Sequence, residues 1–422
     1  MGKDRKPKFI IYKDWIIPGI LGIFLLSIGL SSFIYDKIVE YNIGTKILFS
    51  ILGVFLISIS IKKYFDYIVN GVRKTGYNNN LSMEEINNII SKEKILSKGP
   101  KVVVIGGGTG LSVLLRGLKE YTSNITAIVT VADDGGGSGV LREDLGMLPP
   151  GDIRSCLLAL ANTEPTMEKL LQYRFEEGVL KGQNFGNLFI AAMNEIHGSF
   201  EMAIKETSNV LAVTGKVLPM TLENVTLYAE LENGEIVKGE SEIPLRNREL
   251  SSKINRVYME PIITYPLVEA VEAIEEADII VLGPGSLYTS IIPNLLVNNM
   301  VDTIYNAKGT VVYITNVMTQ PGETDNYTVL DHVEAILKHS KEDFLDYVIV
   351  NTEEIPEEVL EKYTIDGSKP VVLGEKDEEI LMDKGIQLIK KNLVDIKKDY
   401  IRHDALLLSE TLINIKKSLL RI

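Results

Sequence analysis

The sequence is short of several things, and each shortage excludes something. Among 422 residues there is one cysteine, Cys156, so no internal disulfide can form and a reducing compartment is expected. It stands in the apolar run Cys156-Leu-Leu-Ala-Leu-Ala161, which reads as a buried structural thiol rather than a reactive one. The histidines, His197, His332, His339 and His403, share no metal-ligand spacing. No Ser/His/Asp ordering offers a nucleophile, so no catalytic residue is assigned. Positive charge is scarce outside the N-terminus. Residues 1–76 hold eleven Lys and Arg against five Asp and Glu, a balance of +6, which leaves −19 for the remainder of an overall −13. So acidic a body repels nucleic-acid phosphate, and no nucleic-acid partner is expected.

What is present begins with two uncharged apolar runs. Trp15 to Tyr35 spans 21 residues and Ile47 to Ile61 spans 15, extendable through Asn42 to Thr45. Crossing the hydrocarbon core takes about 20 apolar residues, with about 17 as a lower limit. The first run meets this outright, and the second only with snorkelling of Lys46, Lys62 and Lys63. A cleaved signal peptide fits poorly, because the first run is long, lacks a small-residue cleavage site and is followed by a second. Basic residues crowd both outer flanks (Lys3, Arg5, Lys6, Lys8 and Lys13; Lys62, Lys63, Arg73 and Lys74), while Asp36, Lys37, Glu40 and Lys46 give the connection no basic excess. Residues 1–76 are therefore expected to form a two-pass hairpin in the cell membrane, with helices at about 15–35 and 44–61 and both ends cytoplasmic. No charge lies mid-span, so the hairpin reads as an anchor and not a transport path.

Residues 77–100 read as a linker helix, capped by Ser82 and ended by Gly99-Pro100. From residue 101 onward, runs rich in Val and Ile alternate with helical segments. Val102–Ile105, Thr126–Val131, Ile279–Leu282, Thr310–Thr315 and Tyr347–Val350 are expected as buried parallel strands of a doubly wound, Rossmann-like α/β sheet. Residues 221–258 alternate instead and turn at Asn233-Gly234, the signature of a small antiparallel insertion.

The strongest local signal is Lys101-Val-Val-Val-Ile-Gly-Gly-Gly-Thr-Gly110, where a strand runs into glycines and then an amphipathic helix. Gly106, Gly107, Gly108, Thr109 and Gly110 are expected to cradle a phosphate, which needs close backbone approach and free helix N–H groups. The spacing breaks the dinucleotide fingerprint at Leu111, and no Gly-Lys-Ser/Thr follows. Strand two ends in Ala132-Asp-Asp-Gly-Gly-Gly-Ser-Gly139. Asp133 lies 23 residues after Gly110, near the place from which an acid bonds a ribose hydroxyl. Alternatively, Asp133 and Asp134 together hold a divalent cation such as Mg²⁺, while Gly135, Gly136 and Ser138 offer donors to a second anionic group.

Asp152 and Arg154 open an apolar helix, the first as cap or ligand contact, the second as a partner for phosphate. Asn184 and Asn187 precede another helix and serve either as caps or as hydrogen-bonders to a sugar or base. Gly283, Gly285 and Ser286 form a second strand–glycine–helix junction, as expected where a ligand straddles the carboxyl ends of strands. Thr315 to Asp325 is a polar loop after a strand, either the outer wall of the site or plain surface.

Taken in order, Ile105-Gly-Gly-Gly-Thr-Gly110, Asp133-Asp-Gly-Gly-Gly-Ser-Gly139, Pro150-Gly-Asp-Ile-Arg154, Gly186-Asn-Leu188 and Gly283-Pro-Gly-Ser286 with Met318-Thr-Gln-Pro-Gly-Glu323 resemble the gluconeogenesis factor family (the YvcK type). That family is related to the 2-phospho-L-lactate transferases (the CofD type), and the resemblance covers about Lys101 to the C-terminus. It implies a regulator that binds a UDP-sugar such as UDP-N-acetylglucosamine and supports cell shape and wall synthesis during gluconeogenic growth. The alternative it implies is a phospholactyl-type transferase, with Asp133 and Asp134 serving Mg²⁺. Typical members are soluble, so the hairpin is a departure. The oligomeric state stays open, a homo-oligomer included.

Overall fold

A computed structural model describes residues 9–34, 43–74, 83–397 and 400–419. The basic cluster up to Lys8, the hairpin connection at 35–42 and the Ser82 cap lie outside them. The chain divides into two compact units, residues 1–90 and 91–422.

In the first unit, helices Phe9–Ile34 and Ile43–Lys74 pack side by side. Glycine makes that packing possible. A Cβ on Gly22 would lie 2.9 Å from the Gly53 carbonyl oxygen, and one on Gly53 only 2.7 Å from the Leu26 nitrogen. The aliphatic and aromatic side chains point away instead: Ile20, Ile23, Phe24, Ile51 and Phe55 are 59–63% exposed. The apolar stretch long enough to cross a membrane is Ile43–Tyr64, at 22 residues, whereas the first helix contributes the shorter Ile16–Leu30 among residues with described side chains. The second helix does not stop at Ile61 but carries its apolar stretch through Lys62 and Lys63 to Tyr64.

The second unit opens with the end of the helix Met83–Leu96 and is built on a seven-stranded sheet. Its strands are β1 (Val102–Gly106), β2 (Ile125–Val129), β3 (Lys216–Pro219), β7 (Ile279–Leu282), β8 (Thr310–Ile314), β9 (Tyr347–Asn351) and β10 (Gln387–Lys391). They lie in the order β10-β9-β8-β7-β1-β2-β3 and every pairing is parallel. Helices cover the sheet, so β1 and β7 are buried along their whole length, which is why both read as unbroken Val/Ile runs. All five expected strands are present. A separate antiparallel sheet holds β4 (Thr226–Leu231), β5 (Ile236–Lys238) and β6 (Ile254–Glu260), with Gly234 at φ +85° in the expected turn. The hairpin of β11 (Val394–Lys397) and β12 (Tyr400–His403) precedes the last helix, Ala405–Leu419.

The strand order places the site. From β1 the chain winds outward through β2 to β3, and from β7 it winds the opposite way through β8 and β9 to β10. The sense of winding reverses between β1 and β7, where the loops leaving the carboxyl ends part and open a crevice.

Candidate functional site

Two clefts open at that reversal and meet on a glycine ridge. One, about 300 Å³, is lined by Gly107, Gly108, Thr109, Gly110, Thr130, Asp133, Asp152, Glu240, Gly285, Ser286, Thr289 and Ser290. The other, about 280 Å³, shares Thr109, Gly110 and Gly285 and continues to Val113, Asn316, Val317, Met318, Tyr363, Ile401, Arg402 and His403. The two differ in chemistry: acids wall the first, while apolar groups, an aromatic ring and a guanidinium line the second.

The ridge is the turn from β1 into the helix Gly108–Leu118. Gly108 sits at φ +64°, where a side chain is strained. A Cβ on Gly107 would lie 2.5 Å from Asp152 Oδ2 and 2.6 Å from Thr130 Cγ2. Gly110 abuts the second junction, its absent Cβ 2.6 Å from the Pro284 carbonyl oxygen. No side chain of the N-cap residue closes this helix, and its open end faces the acid-walled cleft.

That cleft already contains an anion. Asp152, in the first turn of the helix Gly151–Leu160, accepts a hydrogen bond from the Gly108 amide. Burial, reinforced by Asp133, pushes its carboxyl up to about 7. Glu240, from the turn after β5, is pushed up to about 8 by burial and then by Asp133, Glu323, Asp134 and Asp152. Asp133 is raised by burial too, although the Gly135 amide at 3.0 Å and Ser138 hold its charge. No Lys or Arg lines this cleft.

The expected residues separate here. Gly107, Gly108, Thr109, Gly110, Asp133, Asp152, Gly285 and Ser286 converge on the cleft. Gly106 is buried behind Leu111, and Gly283 turns at φ +79° against Ile291 and Ile314. Asp134 is not paired with Asp133 as a cation ligand. Its two oxygens accept from the amides of Glu240 at 3.0 Å and Ser241 at 2.9 Å, so it clamps the antiparallel insertion that brings Glu240 in. Gly135 bonds Asp133 rather than a second anion, Gly136 makes the left-handed turn at φ +49°, and Ser138 is buried against Asp133. Asn184 is the cap of the helix Phe185–His197, accepting from the Asn187 amide at 3.2 Å. Asn187 and Arg154 bond each other at 3.0 Å instead of meeting the glycine loop. Cys156 is buried, as expected, with its thiol pushed well up.

The second junction is sealed. Glu323, 3% exposed, accepts from the Tyr288 and Thr289 amides, from Thr289 Oγ1 at 3.0 Å and from Gln320 Nε2 at 2.6 Å. A carboxylate of the chain itself thus fills the helix start where the sequence suggested a ligand anion. Ser286 contacts the cleft from its edge and bonds Gln320 Oε1 at 2.6 Å.

Sequence reasoning missed Thr130, Glu240, Thr289 and Ser290, and in the neighbouring cleft Tyr363, Arg402 and His403. The polar loop after β8 does form part of the wall, through Asn316, Val317 and Met318. Tyr363 is placed by its hydroxyl, which accepts from the Ile401 amide at 2.8 Å. Burial pulls His403 down to about 4, so it stands neutral beside the Thr315 carbonyl oxygen, 3.1 Å away. Among the described residues, no group of three or more His, Cys, Asp or Glu is arranged to hold a metal ion.

Residues 102–394 match the family described as 2-phospho-L-lactate transferase CofD. A Bacillus subtilis protein named gluconeogenesis factor is 49% identical over 323 residues, which is 76% of this chain and all of that one. The chain belongs to this family. A gluconeogenesis-factor relative from Clostridium acetobutylicum is 48% identical over 412 residues, covering 96% of this chain and 90% of its own, so that likeness reaches into the N-terminal apolar segment. A crystal structure of a Bacillus halodurans protein superimposes with a TM-score of 0.72 at 48% identity, over 75% of this chain and the whole of that one. The fold is thus shared with that structure over three quarters of this chain, and the membership agrees with the resemblance of the five motifs.

Proposed function

We propose that this gluconeogenesis factor binds a UDP-sugar, of which UDP-N-acetylglucosamine is the type, and reports wall-precursor supply to the machinery of cell shape. The observation that carries the reading is the meeting of two unlike clefts on one glycine ridge. A diphosphate on Gly107 to Gly110 spans them, with the base against Tyr363, Val317 and Arg402 and the sugar hydroxyls donating to Asp133, Asp152 and Glu240. Calorimetry on the full-length chain in detergent micelles tests this; absence of heat with about millimolar UDP-N-acetylglucosamine sinks it.

A diphosphate entering among three carboxylates needs positive charge, and Mg²⁺ is commonly held by one or two carboxylates together with phosphate oxygens. Asp133 and Asp152 fit that role, since a Cβ on the intervening Gly151 would already lie 3.1 Å from Asp133 Oδ2. The same pair supports a second reading, Mg²⁺-dependent transfer of a phospholactyl-type group. In that reading Asp133 and Asp152 would hold the ion, which would supply charge neutralisation at the phosphate, and the cleft residues orient the acceptor. Turnover that survives in Asp152→Asn counts against it.

The helix pair is proposed to anchor the protein in the cell membrane as a two-pass hairpin, N-terminus and main domain cytoplasmic. Support comes from glycine-lined contact between the helices, common where lipid surrounds a helix pair, and from the outward aliphatic side chains. A single cysteine placed at residue 39 should react with an impermeant maleimide from outside intact cells. Reaction only after lysis refutes the orientation.

A further inference from the structure

Past the acid-walled cleft the site changes sign. Arg154 follows Asp152 by two residues but does not line the cleft. Its side chain runs across Gly186, where a Cβ would come within 2.7 Å of Arg154 Cδ. Nη1 donates to Asn187 Oδ1 at 3.0 Å and Nη2 to Ser155 Oγ at 3.4 Å, while Nε is fully buried and has no acceptor. Among the described residues no carboxylate pairs with Arg154. Its charge is disfavoured by burial and next by Arg174, a second cation, with Asp152 and Asp133 opposing.

Arg174 is itself held in place. Its backbone bridges to Asn184, the cap of the helix Phe185–His197, and its Nη1 donates to the Gly182 carbonyl oxygen at 2.6 Å. Arg174 is near enough to disfavour the charge on Arg154, which is itself half-buried and without a carboxylate. Such a pair is favourable when an anion lies between them, and the start of a 13-residue helix adds partial positive charge. The pair is also linked to the cleft: Asn187 Nδ2 reaches Ser138 Oγ at 3.5 Å, and Ser138 bonds Asp133.

We propose that Arg154 and Arg174 form a second anion subsite, beyond the cleft and separate from the glycine ridge, that takes a carboxylate or phosphoryl group. The anion has two sources, an acidic substituent on the sugar of the nucleotide ligand or a separate small acid bound beside it. Only the first source rests on the nucleotide-sugar reading.

The test uses the full-length chain in detergent micelles with UDP-glucose, UDP-glucuronic acid and inorganic phosphate as probes. Its variants are Arg154→Gln and Arg174→Gln, the second at an exposed position that the fold tolerates. If the sugar carries the anion, UDP-glucuronic acid binds about tenfold or more tighter than UDP-glucose to the wild type, and equally in both variants. If the anion is separate, the two sugars tie, and phosphate raises the melting temperature of the wild type but not of the variants. Equal sugars together with a phosphate shift that is absent, or unchanged in the variants, overturns the subsite. Failure of both UDP-sugars to bind removes the nucleotide reading alone, because the phosphate arm still decides this one.

Discussion

The junctions after β1 and β7 are built alike and used differently. Each runs from a fully buried strand through glycines into a helix, and at each a carboxylate of the chain itself accepts from the first helical amides. At the β1 junction that carboxylate is Asp152, half-buried and facing an open cleft. At the β7 junction it is Glu323, sealed under Thr289 and Gln320. The lesson is that glycines before a helix make an anion site but do not say whose anion fills it. Access decides: the β7 junction borders the cleft through Gly285 and Ser286, but its helix amides are already covered by Glu323.

The comparison can be broken by exchanging the effects of substitutions at the two places. Glu323→Ala strands four donors that now share one carboxylate, and should lower stability by about 4 kcal/mol, read as a denaturation midpoint, with ligand affinity little changed in the folded fraction. Gly107→Ala should weigh the other way. Its methyl group enters the space of Asp152 and Thr130, so ligand affinity falls about a hundredfold, near 2.8 kcal/mol, while stability falls by about 1–3 kcal/mol, less than in Glu323→Ala. If both variants lose stability and affinity together, the distinction fails.

Smaller effects sharpen it. Burial pushes Glu323 up to about 7 from 4.5, so the stability held by its neutral form is complete at low pH and is lost as pH rises through about 7. Glu323→Gln keeps the acceptor at Oε1 and places an amide at Oε2, which has no partner. It should match the wild type near pH 5 and exceed it by on the order of 2 kcal/mol near pH 9, seen in melting curves across pH. Asp134→Asn weakens the clamp on the Glu240 turn and should cost about 1 kcal/mol of stability. Any loss of ligand affinity in that variant should be small beside that of Gly107→Ala.

Much of the sheet was legible because β1, β2, β7, β8 and β9 bury both faces and so appear as Val/Ile runs. The two edge strands were not. β3 is Lys-Val-Leu-Pro, and β10, Gln-Leu-Ile-Lys-Lys, is half solvated; an edge needs no continuous apolar run. In the site, residues carried by one local motif were readable, from Gly107 to Gly110 with Asp152 and Ser286. Glu240, Tyr363 and Arg402 arrive from segments far apart in the chain and bear no motif of their own. The Asp133-Asp134 pair did hold a usable signal. Adjacent residues of an extended chain point to opposite sides, so one aspartate faces the cleft and its neighbour must do something else.

Titrating UDP-N-acetylglucosamine into the full-length chain, beside Gly107→Ala and Glu323→Gln, tests the account most directly. Saturable binding is predicted in the wild type and Glu323→Gln, and loss of it in Gly107→Ala. Undiminished binding by Gly107→Ala would place the ligand away from the ridge and contradict the account.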